Sequence, residues 1–321
     1  MTLTRLAISL FLALLVFAGV TQWRASLRQA AFEAAFPPTG RFVTVGGLRV
    51  HYEQSGTGPD LVLIHGASGN LRDFTFAFRD RLTDRYRVTV IDRPGLGYSD
   101  PAPDASLEAQ VGIIRAAMVD HGVTDPVVVG QSYGGALALA WALDKGPGPS
   151  PKALVLLGAP SMPWPGKLGL WYRLTSSRLG RALVTPLVAA YLPDGAVAGI
   201  TARVFAPAPV PPGYAQHLGA GLGQRRGTLA VNTAQINALR AQLVDMVPLY
   251  ASLAMPVTLI HGDADTIVPL EIHARPLSRL LPNATLIVIE NGGHMPHHSD
   301  PDRVIAAIDR LALHGSAQSR Y

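Results

Sequence analysis

The chain has 321 residues, 48% hydrophobic and 15% charged, enough to bury a large core, so disorder does not describe it as a whole. A formal charge of +5 would suit a nucleic-acid surface, but there is no lysine-rich tail and no zinc or RNA-binding motif, so no nucleic-acid partner is expected. With no cysteine, disulfides, thiol catalysis and cysteine-ligated metals are excluded.

Residues 6–20 form an almost purely apolar run after Arg5. As a helix these residues span about 22 Å at ~1.5 Å each, short of a ~30 Å hydrocarbon core, whereas residues 3–23 would reach across. A signal peptide and a retained anchor both fit; Val16-Phe17-Ala18 is a tolerable cleavage site. Trp23, Arg24 and Arg28 read as interfacial residues and favour the anchor, with a membrane-tethered domain as its consequence. Cleavage would instead give a secreted or periplasmic protein. Arg5 opposes Arg24 and Arg28, so charge does not set the orientation. Residues 1–36 are therefore read as a leader and linker outside the globular fold.

After Pro37-Pro38, segments 41–45 and 48–53 alternate around Gly46-Gly47 and predict an antiparallel hairpin. Short Val/Ile/Leu runs then follow at 61–64, 87–91, 127–129, 153–157, 257–260 and 285–289. Strands that are continuously apolar are covered on both faces. Helical spacing fills the gaps: 106–121 stops at Gly122, and Asp300-Pro301 starts a helix running to Leu311. Alternating strand and helix predict an open, mostly parallel α/β sheet with its ligand crevice beyond the carboxyl ends of the strands. Residues 37–160 and 251–315 are assigned to this core. Residues 161–250 lack β-like runs and predict a helical insertion that carries eight basic residues against two acidic ones.

Directly after the strand at 127–129 comes Gly130-Gln131-Ser132-Tyr133-Gly134-Gly135, then an apolar helix at 136–143. A serine on so sharp a strand-to-helix turn has its hydroxyl exposed, and the turn needs glycine on both sides. Serine is a poor nucleophile until a base takes its proton, and that base needs a carboxylate to orient it. Both follow in order: His261-Gly262-Asp263-Ala264-Asp265 after one strand, and Gly292-Gly293-His294 after the next. An oxyanion needs two further donors, which the backbone N–H groups of Tyr133 and of Ala67, in His65-Gly66-Ala67-Ser68-Gly69-Asn70, would supply.

Taken together, these motifs, with Asp92-Arg93-Pro94-Gly95-Leu96-Gly97-Tyr98-Ser99, resemble the α/β-hydrolase fold-1 family over residues 40–313. The resemblance implies that Asp265 rather than Asp263 is the acid beside Ser132 and His294, that 161–250 is a cap, and that no cofactor is used. Dehalogenase and epoxide-hydrolase relatives place aspartate where Ser132 stands, so neither chemistry is expected. The expected activity is hydrolysis of an apolar carboxylic ester. Carbon–carbon bond hydrolysis, a lipid acyl chain, a non-water acceptor and a catalytically silent binding protein remain open.

Other residues receive plainer readings. His65, His261 and His273 are expected to be structural, Asp92 with Arg93 to brace a loop, and Trp164, Trp171, Tyr172 and Tyr191 to pack. A metal at His294, His297, His298 and Asp300 is not expected, since no separate ligand motif appears.

Overall fold

The computed structural model describes residues 3–317. An eight-stranded sheet runs in the order β1-β2-β4-β3-β5-β6-β7-β8. Its strands are β1 (Arg41–Val45), β2 (Leu48–Ser55), β3 (Asp60–Ile64), β4 (Arg87–Ile91), β5 (Val127–Gln131), β6 (Ala153–Leu157), β7 (Val257–Gly262) and β8 (Ala284–Ile289). Antiparallel pairing is confined to β1–β2 and β2–β4, and every later pair is parallel. β2 runs two residues beyond the predicted hairpin because Tyr52 to Ser55 also pair with β4.

Alternation within β3 shows why these strands read as unbroken apolar runs. Val62 and Ile64 enter one core cluster and Leu61 and Leu63 the other, so the sheet is buried on both faces. The first face packs α3 (Leu107–Asp120), α4 (Tyr133–Leu143) and α10 (Ala274–Leu280), and the second packs Phe74, Phe78 and α12 (Pro301–Ala317). The Ser106 side chain caps α3 by accepting from Ala109 N–H. Short helices α2 (Arg72–Thr75) and α11 (Pro296–Ser299) lie in loops at the carboxyl ends of the strands.

Between β6 and β7 the chain is helical: α5 (Leu170–Leu174), α6 (Arg178–Tyr191), α7 (Asp194–Phe205), α8 (Tyr214–Leu218) and α9 (Arg226–Met246). This cap is bonded to core loops. Asn232 on α9 accepts from Ser68 N–H, and Arg225 donates to Gly97 O.

The N-terminal helix α1 (Leu3–Ala35) is longer than the apolar run that signals it. Its first half is fully exposed, and the whole is long and apolar enough to cross a membrane. Its second half lies on the cap, with Thr21 and Ala25 buried. Arg24 donates to Ala190 O and Arg28 to Leu192 O, so both guanidiniums bond carbonyls of the cap. Those carbonyls close the end of α6, where intrahelical donors run out.

Chain order reverses between β3 and β5, which lie side by side although β4 intervenes in sequence. That reversal leaves a gap at the carboxyl ends of the two strands, flanked by the loop after β3 and the turn after β5. The fit there is tight: a Cβ on Gly134 would lie 2.2 Å from Ile64 O. Gly134→Ala must push α4 off β3, and we expect a loss of about 3 kcal/mol or more, read as a lowered denaturant midpoint; an unchanged midpoint would contradict this packing.

Candidate active site

Ser132 sits at φ 51° and ψ −123°, a left-handed backbone that a non-glycine residue adopts only when its surroundings force it. Those surroundings are visible. Ser132 N–H donates to Leu157 O of β6, and Gly135 N–H donates back to Ser132 O, fixing the turn from both sides. The next turn is fixed in the same way: Gly158, at φ 55°, follows β6 and donates to Ile260 O of β7. A Cβ on Gly158 would lie 3.1 Å from His294 Nδ1 and 3.4 Å from Asp265 Oδ2. Only a residue without a side chain leaves that pair undisturbed.

Asp265 follows β7 and is buried, whereas Asp263, two residues earlier, is exposed. Its Oδ1 accepts from Ile267 N–H at 2.8 Å and Val268 N–H at 2.9 Å, and its Oδ2 meets His294 Nδ1 at 2.7 Å. His261 Nε2 is 3.4 Å from the same Oδ2 but gives its N–H to Val268 O at 2.6 Å. Burial by itself would raise the Asp265 carboxyl. The imidazoles of His261 and His294 and the Val268 N–H outweigh burial and hold it well below the usual carboxylate range. An ionised Asp265 on Nδ1 selects the tautomer of His294 that leaves Nε2 basic.

The loop carrying His294 is tied to the serine turn, because Gln131 Nε2 donates to His294 O at 3.2 Å. Among the described residues no hydrogen bond joins Ser132 Oγ to His294. Such bonds are often long before substrate arrives and tighten around it. On the other side, a Cβ on Gly66 would lie 3.0 Å from Ser132 Cβ, so the loop after β3 approaches the serine closely. The N–H groups of Ala67 and Tyr133 border this gap, and neither has a hydrogen-bond acceptor among the described residues.

The histidines and arginine outside this constellation have structural partners. His65 Nδ1 donates to Gly66 O at 2.8 Å while its Nε2 accepts from Arg93 N–H at 3.0 Å, the pattern of a neutral ring. Burial, together with the Arg93 charge, pushes His65 down to about 4. His273 Nδ1 accepts from Ser161 and Met162 N–H, and burial pushes it to about 4 as well.

Asp92 and Arg93 were expected to brace one loop together, but they diverge. Asp92 accepts from Leu71 and Tyr98 N–H and meets His51 Nδ1 at 2.6 Å. Arg93 turns inward beneath Tyr133, its guanidinium 3.8 Å from the ring centroid, and donates to Gly66 O, Gln110 Oε1 and Gln235 Oε1. Burial lowers Arg93 to about 10, so it stays charged at neutral pH. No motif pointed to Gln110 or Gln235, whose partners lie in other elements.

His297 and His298 both reach Asp73, at 3.1 and 2.9 Å, and the Tyr214 hydroxyl donates to the same carboxylate at 2.8 Å. Asp73, His297 and His298 each offer one donor atom within 4.8 Å of the others. The three donors already satisfy the carboxylate, and they join the cap to the core through Tyr214. Asp300 is elsewhere, paired with Arg303.

Two further hollows are lined by α1, the cap and the loop after β4, and neither touches Ser132, Asp265 or His294.

The sequence profile of the alpha/beta hydrolase fold family matches residues 59–301, and the chain belongs to that family of hydrolases. It is 28% identical over 267 residues to a pimeloyl-[acyl-carrier protein] methyl ester esterase of Vibrio vulnificus, covering 79% of this chain and 94% of the relative. It is 26% identical over 296 residues to a 2-hydroxymuconate semialdehyde hydrolase of Pseudomonas putida, covering 88% and 96%. A solved membrane phospholipase A shares the fold with a TM-score of 0.61 at 23% identity, over 98% of this chain and 99% of its own.

The buried histidines set an acid limit. His65, His273 and His297 each sit near 4 in the folded chain against an ordinary 6.5, burial being the largest cause for all three. A depressed histidine means that the unfolded chain binds more protons between those values, so stability rises with pH from 4 to 6.5 and is lost on acidification. Unfolding at pH 5 should take up between two and three protons at these rings, about 0.9 each, measurable from the slope of denaturation free energy against pH. A flat slope across that window would contradict their burial as neutral rings.

Proposed function

We propose that this protein hydrolyses a carboxylic ester through an acyl-enzyme on Ser132. The 2.7 Å contact of Asp265 with His294, tied by Gln131 to a serine held at positive φ, is the observation that carries this reading. Ser132 Oγ attacks the ester carbonyl while His294 Nε2 takes its proton. Asp265 holds the ring and stabilises the imidazolium that forms. Ala67 and Tyr133 N–H receive the oxyanion, each such donor being worth about 2.7 to 4 kcal/mol of barrier. His294 then protonates the leaving alcohol, and water releases the acid by the same steps in reverse. The Vibrio relative, named for a methyl ester, supports the ester reading.

Arg93 gives the reading a further support. A buried, charged guanidinium behind Tyr133 and Gly66 adds positive potential beside the two oxyanion donors, where low dielectric magnifies it.

We also infer that α1 is a retained membrane anchor. Its helix runs unbroken through Ala18 and Gly19 into the half packed on the cap, so the exposed apolar half is a rigid extension of the folded protein. Mass spectrometry of the mature chain should find residues 1–35 present, and the protein should resist alkaline extraction from membranes. A mature chain beginning after Ala18 would refute the anchor.

A fluorophosphonate probe should label the wild type, and Ser132→Ala should abolish labelling and lower turnover by about 10⁶-fold. Labelling that persists in Ser132→Ala would overturn the assignment. Asp265→Asn should cost about 10⁴-fold in kcat, by freeing the wrong tautomer; Asp263→Asn, on an exposed side chain, should cost little. If Asp263→Asn proves the more damaging, the acid is misassigned.

A further inference from the structure

Helix α6 has two faces. Thr185, Pro186, Ala189 and Ala190 are buried, whereas Leu179, Leu183, Leu187 and Tyr191 are exposed. The exposed four recur every fourth residue and so form one stripe. Leu170 and Leu174 of the adjacent α5 are exposed as well. Bare leucines in such a row, 69% exposed at Leu179 and 61% at Leu183, mark a surface that something apolar covers.

The end of the stripe shows what covers it. Tyr191 stacks on Phe17 of α1, with ring centroids 6.3 Å apart and planes 7° apart, and its hydroxyl bonds Thr21. Phe17 lies in the part of α1 whose side chains are all exposed. The leucine stripe is therefore continuous with the helix read above as a membrane anchor, and a bilayer that surrounds Phe17 also meets Tyr191.

Charge completes the pattern. On the other flank of α6, which carries Ala182, Thr185 and Pro186, a hollow of about 500 Å³ between α1, α6 and α9 is lined by Arg178, Arg181 and Arg226 together with Gln22. No acidic side chain lines it. Arg181 is held there by bonds to Thr175 O and Ser176 O, and Arg226 by Gln22 of α1, five residues beyond Phe17. A helix with leucines on one flank and arginines on the other suits the boundary between acyl chains and anionic headgroups.

We propose that α6 lies along an anionic phospholipid bilayer beside α1, the leucine stripe on one flank entering the headgroup boundary and the arginine-lined hollow on the other receiving a lipid phosphate. The proposal rests on the anchor reading of α1 but is separable from it by experiment.

The chain has no cysteine, so one introduced thiol can carry a fluorophore uniquely. The full chain would be reconstituted into phosphatidylcholine vesicles with or without phosphatidylglycerol, containing spin-labelled lipid as quencher. Separate variants place the fluorophore at Leu183→Cys on the stripe, Phe11→Cys in the anchor and Arg279→Cys on α10. With phosphatidylglycerol present, quenching at position 183 should exceed that at 279 severalfold. Arg178→Gln with Arg226→Gln should return position 183 to its value in neutral vesicles, while position 11 stays quenched and the thermal melt is unchanged.

Quenching at 11 but not at 183 overturns the docking and leaves the anchor. Quenching at 183 without 11 upholds the docking and overturns the anchor. Quenching at neither site overturns both. Position 183 shielded but unquenched, with cross-linked dimers, would assign the stripe to a second copy and overturn the lipid. Quenching at 183 that ignores both phosphatidylglycerol and the arginines overturns the phosphate site.

Discussion

The turn after β5 is the constraint from which the rest of the site follows. A left-handed serine between a strand and a helix stores strain, and hydrogen bonds to β6 and within the turn must hold it. The same turn requires α4 to start almost against β3, so the glycine at 134 is a condition of the sheet's packing as much as of the turn itself. With α4 in place, the gap between β3 and β5 has fixed walls, and two backbone amides border it.

Asp265 extends the same logic to the next loops. A buried carboxylate is costly unless its lone pairs are taken, and two backbone amides and an imidazole take them. The carboxylate is thereby kept ionised, and one imidazole tautomer is selected. Gly158 keeps the space below this pair open because its own turn has the positive φ that glycine tolerates. Loops that follow the four neighbouring strands β5 to β8 thus meet because the parallel register brings those strands' ends level.

The cap is joined to this core through polar contacts. Asn232 and Gln235 on α9 bond the loop after β3 and the buried Arg93, while Tyr214 reaches Asp73. Helix α9 also forms a wall of the arginine-lined hollow near α1. One rigid helix therefore spans the distance from the N-terminal helix to the loop that carries Ala67.

The sequence by itself determined the sheet's composition and the order of the motifs, because each signal is local: apolar runs of strand length, glycines at sharp turns, and serine, aspartate and histidine each just past a strand. Its helical insertion and its N-terminal apolar helix were legible for the same reason. Tertiary structure alone decided the pairings made by residues distant in sequence. Arg93 belongs with Gln110, Gln235 and the Tyr133 ring rather than with its neighbour Asp92, and His297 and His298 belong with Asp73. Likewise, Arg24 and Arg28 cap the end of α6, because the second half of α1 found a surface on the cap that no local pattern announces. A hydrogen bond to a carbonyl far along the chain leaves no mark on the spacing of residues. Which donor meets which acceptor is fixed only when packing brings the two together.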